Sequence, residues 1–254
     1  MEYLKLEVKD QIAHMQLNRG SSNALHYPML EELSDSLAAI QGNAAIGGLI
    51  LHGTPGFFSS GVDLITLYQY NEEDIRRFWL KLLDVVKLFI AFDKPAVAAI
   101  SGHSPAGGCI LALCCDYRLM AEGDFIIGLN EVPLGIIVPH RIFRLYSFWI
   151  GQSKAYRYLL EGGLFKPEEA KKRGLIDDVV EPNRLVISAE KQVKKYLSFN
   201  WETWRQTKVN LRRELAQVFE QEATEEVEQV LKQWWAPETR AILKTVIENF
   251  KRKS

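Results

Sequence analysis

The stretch Lys94 to Asp116, KPAVAAISGHSPAGGCILALCCD, constrains the chain more than any other. Its apolar run, PAVAAI, fits a strand buried on both faces, since no polar residue interrupts it. A Gly/Ser/Pro turn follows, and an apolar helix start follows the turn. Both elements have to lie inside the molecule. A chain of 254 residues, 47% hydrophobic and 25% charged, can supply such a core in one domain or in one domain with an appendage.

The flanking pattern says what surrounds this unit. YLKLEV and IAHMQL alternate around KDQ, which predicts a β-hairpin. Met29, Leu30, Leu33, Leu37 and Ile40 recur at helical spacing behind Pro28, a residue suited to a helix start. GLILH predicts a buried strand, GTPGFFSSG a loop, and residues 72–92 a long helix. YRLMA and FIIGL predict further short strands. Strands and helices alternate to about residue 180, which predicts an α/β core. From about Arg184 the pattern is helical only. Val209, Leu211, Leu215, Val218 and Phe219 form one expected stripe, and Pro237 opens a last amphipathic helix carrying Ile242, Leu243, Val246, Ile247 and Phe250. Trp234 and Trp235 are expected in the core or at a subunit interface, and the tail KRKS in solvent.

Composition removes several classes of function. A net charge of −1 gives no electrostatic reason for a nucleic acid or an anionic membrane as partner. No apolar run is long enough to span a bilayer. Cys109, Cys114 and Cys115 lack metal-ligand spacing and are expected as reduced core residues. The opening MEYLKLEVKD has neither signal-peptide nor transit-peptide character, so a cytoplasmic protein is expected.

The glycine turn can do less with side chains than with backbone. Ser104 resembles a hydrolase nucleophile, but the next residue, which should give an oxyanion N–H, is Pro105 and has none. The only histidine after it, His140, comes too soon for a triad of that fold. No dinucleotide or P-loop glycine pattern is present. What remains is the start of a helix at Ala106, Gly107 and Gly108, whose first N–H groups lack partners and carry partial positive charge. A glycine needed only for close packing would explain the turn taken alone. A second turn, FFSSGVDL, also follows a buried strand and leads into a helix, so two N–H groups could converge on one carbonyl oxygen. In GLNEVPLGIIVP the carboxylate of Glu131 stands among apolar residues, where its pKa would rise towards neutrality. The alternative is a Glu131 that faces solvent.

These motifs, in this order and spacing, resemble the crotonase (enoyl-CoA hydratase/isomerase) superfamily. SPAGGCILALCCDYRLMA, followed by IIGLNEVPLGIIVP, most resembles its mitochondrial-type Δ3,Δ2-enoyl-CoA isomerase branch, and GGLFKPEEAKKRGLIDDVVEP adds to the likeness. The resemblance covers residues 1–180. It implies an α/β spiral of ββα units over residues 1–197 and a helical C-terminal trimerisation region over residues 198–254. It also implies acyl-CoA thioester substrates, no cofactor beyond the coenzyme A of the substrate, no metal, and a homotrimer or dimer of trimers. By motif, the N–H groups of Val62 and Gly107 would hold the thioester oxygen, and Glu131 would be the catalytic carboxylate. Ser60, Gly61, Val62, Asp63 and Leu64 would lie along the coenzyme A, with the backbone near Ala24 and Leu25 also meeting it.

Hydratases of the superfamily carry a second glutamate after the glycine turn, where this chain has Ile110. Hydration needs one group to activate water and another to manage the second proton. Moving a double bond needs only one base. The expected activity is therefore isomerisation of 3-enoyl thioesters. A hydratase, another enolate-forming enzyme and a silent acyl-CoA binder are the rivals. His103 and His140 could line the acyl pocket or be packed or solvated, and Asp63 and Asp116 are expected to make structural hydrogen bonds.

Overall fold

The computed structural model describes residues 1–253. Strands β1 (Leu4–Lys9) and β2 (Ile12–Leu17) pair antiparallel. Asp10 and Gln11, at φ 50° and 64°, close the hairpin in the left-handed conformation that a two-residue turn requires. Helix α1 (Tyr27–Gly42) starts at Pro28 and buries the expected apolar face.

The chain then repeats one device three times: a strand in a large sheet, a short strand in a small one, and a helix. β3 (Gly48–His52) and β4 (Gly56–Phe57) lead to α2 (Leu64–Leu67) and α3 (Glu72–Ala91). β5 (Ala96–Ile100) and β6 (Gly102–Pro105) lead to α4 (Gly107–Cys114). β7 (Tyr117–Ala121) and β8 (Ile127–Gly128) lead through a 3-10 turn at Val132–Leu134 to α5 (His140–Ile150) and α6 (Gln152–Glu161). β9 (Leu164–Phe165), α7 (Pro167–Arg173), β10 (Asp178–Val180) and α8 (Leu185–Leu197) follow. The large sheet runs β1-β2-β3-β5-β7-β10 and the small one β4-β6-β8-β9. Strands β3, β5 and β7 stack in the same sequence as β4, β6 and β8, so the chain climbs as a spiral of ββα turns. Both faces of the large sheet are covered, as parallel strands demand. Ile50, Val97 and Leu119 pack under Leu185, Ala189 and Val193 of α8, and the other face meets the main core.

Two local expectations need correction. Gly102–Pro105, read as a turn, is strand β6, and the strand expected over FIIGL shrinks to Ile127–Gly128. Strands of two to four residues containing Gly and Pro are too short to show a period.

Three helices end the chain: α9 (Trp201–Glu220), α10 (Thr224–Trp234) and α11 (Pro237–Lys253). The expected stripe on α9 splits. Leu215 and Phe219 are buried, but so are Lys208 and Arg212, while Leu211 is 71% exposed and Val209 also faces out. Asp116 sets this phase. Its carboxylate accepts from Lys208 Nζ at 2.8 Å, from the Ala96 N–H at 2.8 Å, and pairs with Arg212 Nη2 at 3.0 Å. Turning α9 would strand these buried charges, so two cations on one acid hold its rotation. Trp234 is in the core and Trp235 is exposed. Lys251 and Arg252 are exposed, and Ser254 lies outside the described residues.

Candidate active site

Strand β6 passes into α4 through one strained residue. Ala106 sits at φ 49°, ψ −122°, anchored by its N–H to the Gly128 carbonyl at 2.8 Å. This sharp turn points the first N–H groups of α4 away from the sheet. The Gly61 backbone lies against the same spot at φ 87°, and a Cβ there would stand 2.9 Å from Ala106 Cβ and 3.2 Å from Gly107 N. A Cβ on Gly107 would stand 2.9 Å from Leu25 Cδ1 and 3.6 Å from the Gly61 carbonyl carbon, to which Val62 N is bonded. Only glycines let these two backbones touch. The amides of Val62 and Gly107 are therefore neighbours, and among the described residues neither donates to an acceptor in the chain. Two free N–H groups side by side, one at a helix N-terminus, form a site for a developing oxyanion.

The loop that carries Val62 is locked from behind. The Leu25 N–H donates to the Gly61 carbonyl at 2.8 Å, and the Asp63 N–H donates to the Leu25 carbonyl at 2.8 Å. This alternation turns the Val62 N–H the other way, into the open site. Asn23 is fully buried at φ 50°. Its Nδ2 donates to Thr54 Oγ1 and to the carbonyls of Phe57 and Phe58, and its Oδ1 accepts from the Arg19 N–H. Ser59 Oγ donates to the Asn23 carbonyl at 2.8 Å and accepts from the Gly61 N–H at 3.2 Å. Sequence reasoning missed Asn23 and Ser59, because small polar residues in a loop signal only a turn until their distant partners are known.

Asp63 caps α2. Its carboxylate accepts from Thr66 N and Thr66 Oγ1 and pairs with Arg19 Nη2 at 2.6 Å. Every strong acceptor position is thus used internally, which gives the side chain a structural role. Ser60 is half-buried with its N–H on the Ser22 carbonyl, and Leu64 is buried. The Ala24 carbonyl is engaged by Arg19 Nη1 at 2.8 Å, and both backbone polar groups of Leu25 are engaged as described. Leu25 enters the site as the apolar wall behind Gly107.

Glu131 stands at the entry of the 3-10 turn, where its carbonyl accepts from Leu134 N and Ile136 N. Its side chain faces a small cavity lined by Trp79, Leu82, Ile110, Ile136, Ile142 and Val230, among others. The cavity holds about 30 Å³, room for little more than one water-sized group, so an acyl chain enters only as these side chains move. Glu131 Oε2 is shut off from solvent and has no hydrogen-bond partner. Desolvation raises its carboxyl to about 7 against an ordinary 4.5, opposed only by a backbone hydrogen bond. No second carboxylate lines the cavity. The position one turn along α4 from Gly107 is Ile110, 5% exposed and in the same lining.

The remaining candidates fall outside this chemistry. His103 lies in β6 between Phe57 and Phe125, and its Nδ1 accepts from the Ile126 N–H at 3.3 Å. His140 is exposed at the start of α5 and is not part of the cavity lining. Ser104 is buried in β6. The three cysteines are free and buried, and burial pushes the Cys115 thiol up to about 12. Among the described residues no cluster of His, Cys, Asp and Glu could hold a metal ion, and no helix is long and apolar enough to cross a membrane.

Comparison with known proteins places the chain in a family. The crotonyl-CoA hydratase of Syntrophomonas wolfei is 31% identical over 199 residues, 78% of this chain and 76% of its own. The mitochondrial enoyl-CoA delta isomerase 1 of Mus musculus is 37% identical over 207 residues, 81% of this chain and 72% of its own. The crystal structure of human mitochondrial delta3-delta2-enoyl-CoA isomerase matches with a TM-score of 0.94 at 28% identity, over 99% of both chains. The profile described as enoyl-CoA hydratase/isomerase spans residues 7–251, and on that span this chain belongs to the enoyl-CoA hydratase/isomerase family.

Proposed function

We propose that the protein is an isomerase that moves the double bond of 3-enoyl-CoA thioesters to the 2-position, as a step in fatty-acid oxidation. One observation carries this reading: a single desolvated carboxylate, Glu131, whose Oε2 has no hydrogen-bond partner, shares its cavity with Ile110 rather than with a second acid. The thioester oxygen would accept hydrogen bonds from the N–H groups of Val62 and Gly107. Glu131, as carboxylate, removes a proton from C2, and the C–H electron pair forms the dienolate, whose negative oxygen those two amides stabilise. Glu131, now a carboxylic acid, returns that proton to C4, leaving the double bond between C2 and C3. No electron leaves the substrate and no water is consumed, so one base suffices. A carboxyl near 7 suits a group that must both take and return a proton at neutral pH.

Ser60 to Leu64 and the backbone at Ala24 and Leu25 would line the coenzyme A path beside the oxyanion site. We read residues 1–197 as the catalytic core and residues 198–254 as the assembly region of a homotrimer or dimer of trimers. Exposed Val132, Ile137, Tyr156 and Leu160 line one apolar groove, and Phe148, Phe199 and Leu211 line another, surfaces that contacts between subunits would cover. Mass photometry at micromolar concentration should show three or six copies; a monomer alone would remove the assembly proposal.

The deciding experiment is a turnover panel of 3-enoyl and 2-enoyl thioesters, with isomerisation and hydration scored separately. Isomerisation well above hydration is expected. Dominant hydration would make the protein a hydratase, and binding without turnover would make it a silent acyl-CoA binder.

A further inference from the structure

The proposed base and the proposed oxyanion donor sit on two different loops. Glu131 opens a 3-10 turn whose next residues, Val132 and Pro133, are exposed. Val62 precedes α2, a helix of only four residues. The Val62 loop is locked towards Leu25 and Asn23, but those bonds do not reach the partly solvated turn after Glu131, so they do not set the distance between the two. The first turn of α11 touches both.

Thr239 is 1% exposed, accepts from Gln233 Nε2 at 2.9 Å and donates its Oγ1 hydrogen to the Gly135 carbonyl at 3.3 Å. Gly135 is the left-handed residue that closes the turn begun at Glu131, and a Cβ there would stand 2.9 Å from Thr239 Oγ1. The side chain of Thr239 therefore seats directly on the loop of the base. The next residue, Arg240, reaches the other loop. Its guanidinium lies 3.5 Å from the centre of the Tyr68 ring and 4.8 Å from that of Trp235, and its Nη2 donates to the Tyr68 carbonyl at 2.9 Å. Tyr68 closes α2, with its N–H on the Leu64 carbonyl, and α2 is capped by Asp63, which follows Val62 directly. Among the described residues no carboxylate pairs with Arg240, and its Nη1 is buried without a partner. Arg240 therefore acts through its flat, stacked plane and one directional donor rather than through an ion pair.

We propose that Thr239 and Arg240 are positioning residues, which hold the Glu131 loop and the Val62 loop to adjacent points of one helix and so fix the separation of base and oxyanion site. This rests on the catalytic roles given above to Glu131 and Val62. A misplacement of about 1 Å between such groups can lower a rate by about a hundredfold, so the clip has a large kinetic lever without touching substrate.

The test uses Thr239→Val, Arg240→Ala and Arg240→Lys in the full chain, with two readouts. Amide hydrogen exchange should rise several-fold in residues 62–70 for the Arg240 variants and in residues 131–138 for Thr239→Val, with β3 and β5 unchanged. Unchanged exchange in both loops overturns the clip whatever the enzyme does. In steady-state assays kcat should fall about 10- to 100-fold with KM within about threefold. Arg240→Lys should not restore it, because lysine keeps the charge and loses the plane. In a Glu131→Gln background Thr239→Val should cost little more, since it acts through the base it positions. A full additional loss in that background would mean a general structural effect and overturn the proposal. Should Arg240→Ala fail to fold, Arg240→Lys carries the same exchange and kinetic test. If the wild type proves to be no isomerase, the catalytic reading fails separately, and the exchange result still decides whether the clip exists.

Discussion

Replacing Glu131 with glutamine should inactivate the enzyme and make its stability relative to wild type rise with pH. Burial holds this carboxyl near 7 in the folded chain against an ordinary 4.5. At about 1.4 kcal/mol per pH unit, ionising it in place costs the fold up to about 3 kcal/mol. Below about pH 4.5 the group is protonated in folded and unfolded chains alike, and the term vanishes. Between 4.5 and 7 the unfolded chain releases its proton first, so stability falls as pH rises. Above 7 the penalty is constant. Glutamine never ionises and escapes it. Its amide still lacks partners, which costs about 1–3 kcal/mol at every pH. Comparing two pH values therefore isolates the charge. The melting temperature of Glu131→Gln relative to wild type should be higher at pH 8.5 than at pH 4.5 by roughly 6–10 °C, or about half that with solvent screening of the partly exposed residue. Scanning calorimetry at matched ionic strength reads this directly. The same variant should lose about 10²- to 10⁴-fold in isomerisation while still binding acyl-CoA, and the wild-type rate should rise with unit slope below about pH 7 and level off above it. A gap independent of pH would show that Glu131 is a solvated carboxylate, and near-normal turnover in the variant would end the one-base mechanism.

Three further outcomes follow from the geometry. Exchanging the Gly107 amide for an ester removes one oxyanion donor and should lower kcat by about 10²- to 10³-fold in a normally folded protein; proline is the wrong probe, because it would force Ala106 out of φ 49°, ψ −122°. Ile110→Glu places a carboxylate opposite Glu131 and should give detectable but weak hydration of a 2-enoyl thioester, with a lowered melting temperature because the cavity offers the new acid no partner. Asp116→Asn leaves Lys208 and Arg212, each with a side chain 6% exposed, without their acid and should cost about 3–5 kcal/mol in denaturant unfolding. Loss below about 1 kcal/mol would show that α9 docks through its apolar residues alone.

Elements with a long, unbroken period were legible in the sequence. The hairpin, α1 and α3 are amphipathic over many residues, and β3 and β5 are continuous apolar runs, so local sequence carries their whole signal. Glu131 stood out for a similar reason: it is the one acid in a run of twelve mostly apolar residues. The parts that stayed hidden depend on partners far along the chain. Asn23 gains its meaning from Phe57 and Phe58, Lys208 from Asp116 and the Lys94 carbonyl, and Arg240 from Tyr68, each a polar residue that a sequence places in solvent by default. Strand β6 stayed hidden because its pairing lies in two-residue neighbours rather than in its own pattern.

Helix α4 explains why one position can redirect the chemistry without disturbing the fold. Its N-terminal amide at Gly107 would polarise the thioester oxygen, a task done by backbone alone at a position where a Cβ would crowd Leu25. One turn later, residue 110 points into the cavity of Glu131. A carbonyl held at the helix end would leave C2 to C4 of the substrate along that first turn, between residue 110 and the proposed base. With isoleucine there, and with Trp79, Leu82 and Ile136 beside it, Glu131 is the one titratable group among the described residues lining the cavity, and so the one that would exchange a proton with those carbons. The same apolar lining gives a water molecule almost nothing to bond to, so it disfavours hydration twice: it supplies no second acid, and it does not hold the nucleophile. It also keeps Glu131 desolvated, which raises its basicity to the range the proton transfer needs. Dryness, basicity and the choice of isomerisation over hydration thus have one structural cause.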